Sequence, residues 1–283
     1  MALFPLYLHI LLITLVLPVG FGLCISLCKA AFCSLVGYRQ GRPVLLGLHV
    51  IITPLRELAH LIACLLTMHR VTEFQLLNLR DPNAEIGFVE HSDNRKNPLA
   101  LFGNFLFALM PFLLGLSLSL LIVNACFHGA FQGLLREVGQ LGERGAGLGE
   151  YVGLTFAFIP RLFRDASTGV IAKILGCIFL LLVCLGVYIS PEELRGSISG
   201  ILIYAATAFF VALLIFIACD ERTNRIVLLG LRSFSSAFTA LCLIVLVFAL
   251  AAIGLGFIFF LCRSFGGGHG DTHAVVPYEA DGD

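Results

Sequence analysis

What most constrains this chain is its succession of apolar runs, several of them twenty residues or longer. The first extends from Ala2 to about Cys28 without an Asp, Glu, Lys or Arg. About 20 helical residues cross the hydrocarbon of a bilayer, where a backbone must satisfy its own hydrogen bonds. Such runs specify membrane-spanning helices. With 59% hydrophobic and 13% charged residues, the chain is excluded from the ordinary soluble domains of this length. Net charge is zero, so composition points to no nucleic acid and no anionic surface as partner. Its partner by composition is the lipid bilayer.

The spacing of runs and breaks predicts an all-α polytopic protein of about six transmembrane helices, over 3–33, 43–68, 98–126, 169–189, 197–219 and 231–262. The first run is too long for a signal-peptide core and lacks a basic leader, so it is expected to be a retained helix. Residues 1–263 are read as one membrane domain. Residues 264–283, with GGGHGDTH and EADGD, read as a disordered tail, and its His269 and His273 as inert. The ten cysteines fall mostly in apolar segments and form no CxxC, as expected of small buried hydrophobes. Trp, a common interfacial anchor, is absent. Lys and Arg after the first, third and fifth helices number ten against six elsewhere outside the spans, a weak lean towards termini on the outer side.

Two stretches break the helical pattern. Val71–Leu76 alternates apolar and polar residues, Ile86–Val89 is a second strand candidate, and Asn78, Asp81, Pro82 and Asn83 supply turn chemistry between them. They predict a β-hairpin at the membrane edge. Residues 128–168 are Gly-rich with mixed charges, and Tyr151–Phe163 is apolar but short and holds Pro160, which suits an interfacial or re-entrant helix. In the third run, Gly103 permits close helix approach and Asn104 offers a polar tether.

The chemistry concentrates in PLRELAHLIAC, residues 54–64. Arg56, Glu57 and His60 lie within one apolar run, where ionisable groups are costly and usually face an interior or a wet cavity. Pro54 removes one backbone hydrogen bond just before them. Glu57 and His60 share a helix face at i and i+3. Glu-x-x-His is most of the zinc-protease motif His-Glu-x-x-His, in which both histidines ligate and the glutamate activates water. On that pattern His60 is a ligand and Glu57 the general base, but Arg56 stands where the first histidine would be. A guanidinium has no free lone pair and repels a dication. His49 lies seven residues before Arg56, ~10 Å along a straight helix, which is too far to substitute. His91 and Glu193 are the other candidate ligands. The alternative is a structural polar cluster, with Arg56 paired to Glu193 or Asp220 from another helix and Glu57 bonded to His60. Ser190, Pro191 and Glu193 also form a capping-box pattern, which accounts for Glu193 without a metal.

PLRELAHLIACLLTMHRVTEF, EIGFVEHS and NPLALFGNFLFALMPFLLG together resemble the site-2 protease family of intramembrane zinc metalloproteases, and more closely its prokaryotic members. The resemblance covers about 43–125 well and 186–205 loosely. It implies a membrane helix with the zinc motif, a following β-hairpin, a Gly-, Asn- and Pro-rich helix, and an acidic third ligand on a later helix, where SPEELRG places Glu193. It implies zinc as cofactor, a prokaryotic inner membrane and a transmembrane substrate, with Arg56 as the departure. Three functions stand open: a degenerate relative acting as a membrane binding partner or scaffold; an active metalloprotease with an unusual ligand set; and a transporter or channel component with Arg56, Glu57, His60 and Asn104 along a polar path.

Overall fold

The computed structural model describes residues 3–37, 42–78, 86–92, 98–144, 148–165, 167–186 and 188–266. Within them the chain is almost wholly helical, with one small sheet. Among the described residues, five helices are long and apolar enough to cross a membrane. A sixth apolar helix lies where the fourth span is expected but has 17 residues, at the short end of what crosses a bilayer.

The first run forms α1 (Leu3–Leu11) and α2 (Leu17–Val36), joined through a π-helical turn at Leu12–Val16. The turn precedes Pro18, whose ring and missing N–H disturb the preceding helical turn, and the wider π geometry accommodates this. Gly37, at φ 73°, ends the rod, and its N–H bonds the Cys33 carbonyl at 3.0 Å.

Helix α3 (Arg42–Leu66) runs unbroken through Pro54. Met68, at φ 56°, ends it, and the His69 N–H returns to the Cys64 carbonyl at 2.9 Å. This is the bond of a Schellman cap, with methionine in the left-handed position usually given to glycine.

The cap turns the chain into strand β1 (Arg70–Gln75), which pairs antiparallel with β2 (Phe88–Ser92). Val71 faces His91 and Phe74 faces Val89, with an irregularity between Val71 and Glu73. The expected hairpin is present, although Asp81, Pro82 and Asn83 fall outside the described residues. The sheet rests against α3.

Helix α4 (Pro98–Cys126) packs along α3. A Cβ on Gly103 would lie 2.8 Å from both Thr67 Cβ and His69 Nδ1, so only glycine lets α4 approach the α3–β1 junction this closely.

The Gly-rich region folds as two amphipathic helices, α5 (His128–Arg144) and α6 (Leu148–Arg164). Phe131, Leu134 and Val138 of α5 meet Leu154, Phe158 and Leu162 of α6 in one core. Glu137 and Arg161 form an ion pair across the two. The Asp165 carboxylate accepts the Ala130 N–H at 2.9 Å and so caps α5. Hydrogen bonds from the Ser167 hydroxyl, and then from backbone N–H groups of Ala130 and Ser167, hold this carboxyl down at about 2.

The chain then forms α7 (Val170–Gly186), the short α8 (Pro191–Gly196), α9 (Ile198–Ala218) and the 46-residue α10 (Glu221–Gly266). Helix α10 begins ten residues before the expected sixth span, because Asp220 accepts the Thr223 N–H and starts the helix in the DERTNR segment. It also extends to Gly266, so residues 264–266 are helical; the rest of the expected disordered tail, with His269 and His273, lies outside the described residues. The main core gathers Ile25 and Cys28 of α2, Phe105 and Phe112 of α4, Cys184 of α7, and Val245 and Ala249 of α10. All ten cysteines are free, and Cys28, Cys64, Cys184 and Cys242 are buried.

Candidate functional site

Three elements converge on Arg56. Helix α3 carries it, together with buried Glu57 and His60. Helix α7 ends at Gly186, and the chain crosses to α8 through Tyr188, Ile189 and Ser190 before α9 begins. This interruption brings Tyr188 and Glu193 to α3. Arg56 Nη1 donates to the Tyr188 hydroxyl at 2.9 Å, and Nη2 donates to Glu193 Oε1. The guanidinium also lies 4.9 Å from the Tyr188 ring centroid, and Lys29 Nζ lies 3.7 Å from the same centroid. Two cations on one ring form a cation–π arrangement.

Glu193 Oε1, the atom that accepts Arg56, is 3.5 Å from His60 Nε2, longer than a good hydrogen bond. Glu193 Oε2 is buried without a hydrogen-bond partner. Ser190 makes no side-chain cap bond to α8, so that half of the expected capping box is missing, and Glu193 also bonds Arg56.

The His60 ring stacks on Phe107 of α4, with centroids 4.0 Å apart and planes at 17°. His91, on β2, lies 4.5 Å from the same Phe107 ring and 5.1 Å from His69, edge to face. His60 and His91 thus both lie against the Phe107 ring. Thr67 gives its hydroxyl proton to the Ala63 carbonyl and so accepts from His69 Nδ1 at 2.6 Å. His49 Nδ1 donates to the Leu45 carbonyl, one turn back on its own helix, at 2.7 Å. Asn104 is half-buried on α4, next to Gly103.

Of the candidates read from the sequence, Arg56, His60 and Glu193 come together, Glu57 is buried next to Arg56 on α3, His91 lies against Phe107, and His49 is engaged elsewhere. Phe107, Tyr188 and Lys29 escape a sequence reading. For Tyr188 the available signal is an aromatic hydroxyl two residues before the SPEELRG turn. For Lys29 it is a lone cation at the end of an apolar run. Beside Arg56 an apolar crevice opens between α3, α4 and α7, lined by Ile52, Leu55, Pro111, Gly115 and Gly186.

A hydrolytic zinc site needs three protein ligands and one open position. Here one imidazole nitrogen and one carboxylate oxygen approach each other, and a guanidinium already holds that oxygen. Among the described residues no three His, Cys, Asp or Glu side chains gather as a metal site. The arrangement ties the interrupted α7–α8 segment to α3 through a half-buried charge pair. Comparison with protein-family models, with curated proteins and with solved structures gives no match to this chain.

Proposed function

We propose that this integral membrane protein is a site-2-protease-like chain whose metal centre is closed by an arginine, and that it acts as a membrane binding partner or scaffold. The observation that carries the reading is the Arg56 guanidinium bonded to Glu193 Oε1, the oxygen 3.5 Å from His60 Nε2. A fixed cation stands beside the two groups that would share a metal. Water activation would need a Lewis acid there, and arginine cannot supply one. The family resemblance supports a place in a prokaryotic inner membrane, with other membrane proteins or a transmembrane segment as partners.

Metal analysis of the purified protein tests this. The wild type is expected to carry no stoichiometric zinc, whereas Arg56→His supplies the missing imidazole and is expected to gain it. Stoichiometric zinc in the wild type that disappears with His60→Ala would overturn the scaffold reading in favour of an active protease with Glu57 as base. No gain with Arg56→His would count against the family geometry itself.

A transporter or channel component is the second reading, and the helix interruption between Gly186 and Ile198 favours it. Broken helices at buried ionisable groups are how many transporters build substrate sites. Proton or ion flux into liposomes, abolished by Glu57→Gln, would select this reading.

A further inference from the structure

We infer that the α5–α6 hairpin lies in the membrane interface, with α5 facing water and the outer face of α6 resting in lipid. The two helices bury similar inner faces, but their outer faces differ in kind. On α5 the exposed positions include Gln132, Arg136, Gln140 and Glu143, and Leu135 is the one large apolar residue exposed there. That face is built for water.

On α6 the exposed positions Gly149, Gly153, Phe156, Pro160 and Phe163 fall at i, i+4, i+7, i+11 and i+14. They form one continuous stripe along the helix. Both phenylalanines are 62% exposed. A helix apolar on its inner and its outer face gains from a second apolar medium, because water on such a stripe carries the cost of hydrating each large side chain.

Two observations choose lipid as that medium. The first is continuity: α7 follows within six residues and presents Val170, Ile171, Ile174 and Ile178 outward, all exposed. The apolar surface of α6 thus passes into that of a helix whose one charged residue, Lys173, turns back to the Phe163 and Asp165 carbonyls and leaves the outward face apolar. The second is the placement of charge. Glu150, Arg161 and Arg164 all fall on one flank of the stripe, and Arg161 pairs with Glu137 of α5. The charged flank is the one turned towards α5, the water-facing helix. Arginines at such a boundary extend to the headgroups while their stems stay in the apolar layer.

The absence of Trp gives a clean reporter. Single tryptophans are introduced as Phe156→Trp, Phe163→Trp and Gln140→Trp in the full chain, reconstituted into phosphatidylcholine–phosphatidylglycerol vesicles. Emission is read with brominated lipid and with aqueous iodide as quenchers. The expected result is blue-shifted emission for Phe156→Trp and Phe163→Trp, quenched several-fold more by bromolipid than by iodide, with shallow bromines more effective than deep ones. Gln140→Trp is expected to show the reverse preference. Three results would overturn the inference: iodide quenching at 156 and 163 equal to that at 140, which would put the stripe in water; protection of both from either quencher, which would mean that a second copy or another protein covers it; and bromolipid quenching at 140, which would immerse the whole hairpin. Should Phe156→Trp fail to fold, Phe163→Trp reads the same stripe.

Discussion

Replacing Arg56 with methionine tests whether the half-buried charge pair holds the interrupted segment in place. Arg56→Met keeps most of the apolar stem and removes the guanidinium. Glu193 then keeps a carboxylate whose Oε2 already lacks a partner and loses the cation on Oε1. Stripping one member from a fully buried pair costs ~3–5 kcal/mol. The two side chains here are 23% and 21% exposed, so water relieves part of that, and about 2–3 kcal/mol is the expected share. The lost bond to the Tyr188 hydroxyl, 2.9 Å in the native protein, adds about 1 kcal/mol. Glu193→Gln retains shape and an acceptor but leaves Arg56 without its counter-charge, for about 2–3 kcal/mol. The double variant Arg56→Met/Glu193→Gln removes both charges, so its cost is expected to fall below the sum of the singles by about 2 kcal/mol. Equilibrium unfolding in mixed micelles of mild detergent and dodecyl sulfate, followed by circular dichroism, reads all four corners of the cycle. If each single costs less than about 0.5 kcal/mol and the two simply add, the pair does not anchor α8 to α3, and the reasoning is refuted.

Two further outcomes follow from the packing and the loops. Gly103→Ala places a Cβ 2.8 Å from Thr67 Cβ and from His69 Nδ1, and is expected to cost ~1–3 kcal/mol by overpacking, seen as an earlier melt in detergent; an unchanged melt would mean that α4 has room to move. Asp165 titrates at about 2 in the folded chain because of its hydrogen bonds, against about 4 unfolded. A lowered folded value gives stability that is complete above the unfolded value and is lost as pH falls from about 4 towards 2. The protection factor of the Ala130 amide, its exchange relative to the intrinsic rate at each pH, is expected to fall over that window, and Asp165→Asn to remove that fall; a protection factor constant with pH would contradict the cap.

The spans were legible because long apolar runs admit one backbone solution in lipid, and the hairpin because alternation and turn residues flank it. Residues 128–164 read poorly as helix because glycines interrupt them, although the inward set Phe131, Leu134 and Val138 already had helical spacing. The start of α10 was hidden because DERTNR is charged, yet Asp220 is an N-cap that the sequence displays. The centre was half legible. Arg56 with Glu193 was among the pairings that sequence allowed, but the two are 137 residues apart, and no local pattern chooses that partner over Asp220. Phe107 between His60 and His91 could not be foreseen, because ring stacking depends on how α4 slides against α3, and Gly103 sets that offset.

The length of α10 carries a geometric consequence. Its 46 residues make a rod of ~69 Å, more than twice the ~30 Å of bilayer hydrocarbon. The rod lies in the α5–α6 core through Ala240 and Ile244 and in the main core, against α2, through Val245 and Ala249. Part of α10 therefore stands outside the hydrocarbon when the rod is upright, and Glu221, Arg222 and Arg225 mark its first turns as that part.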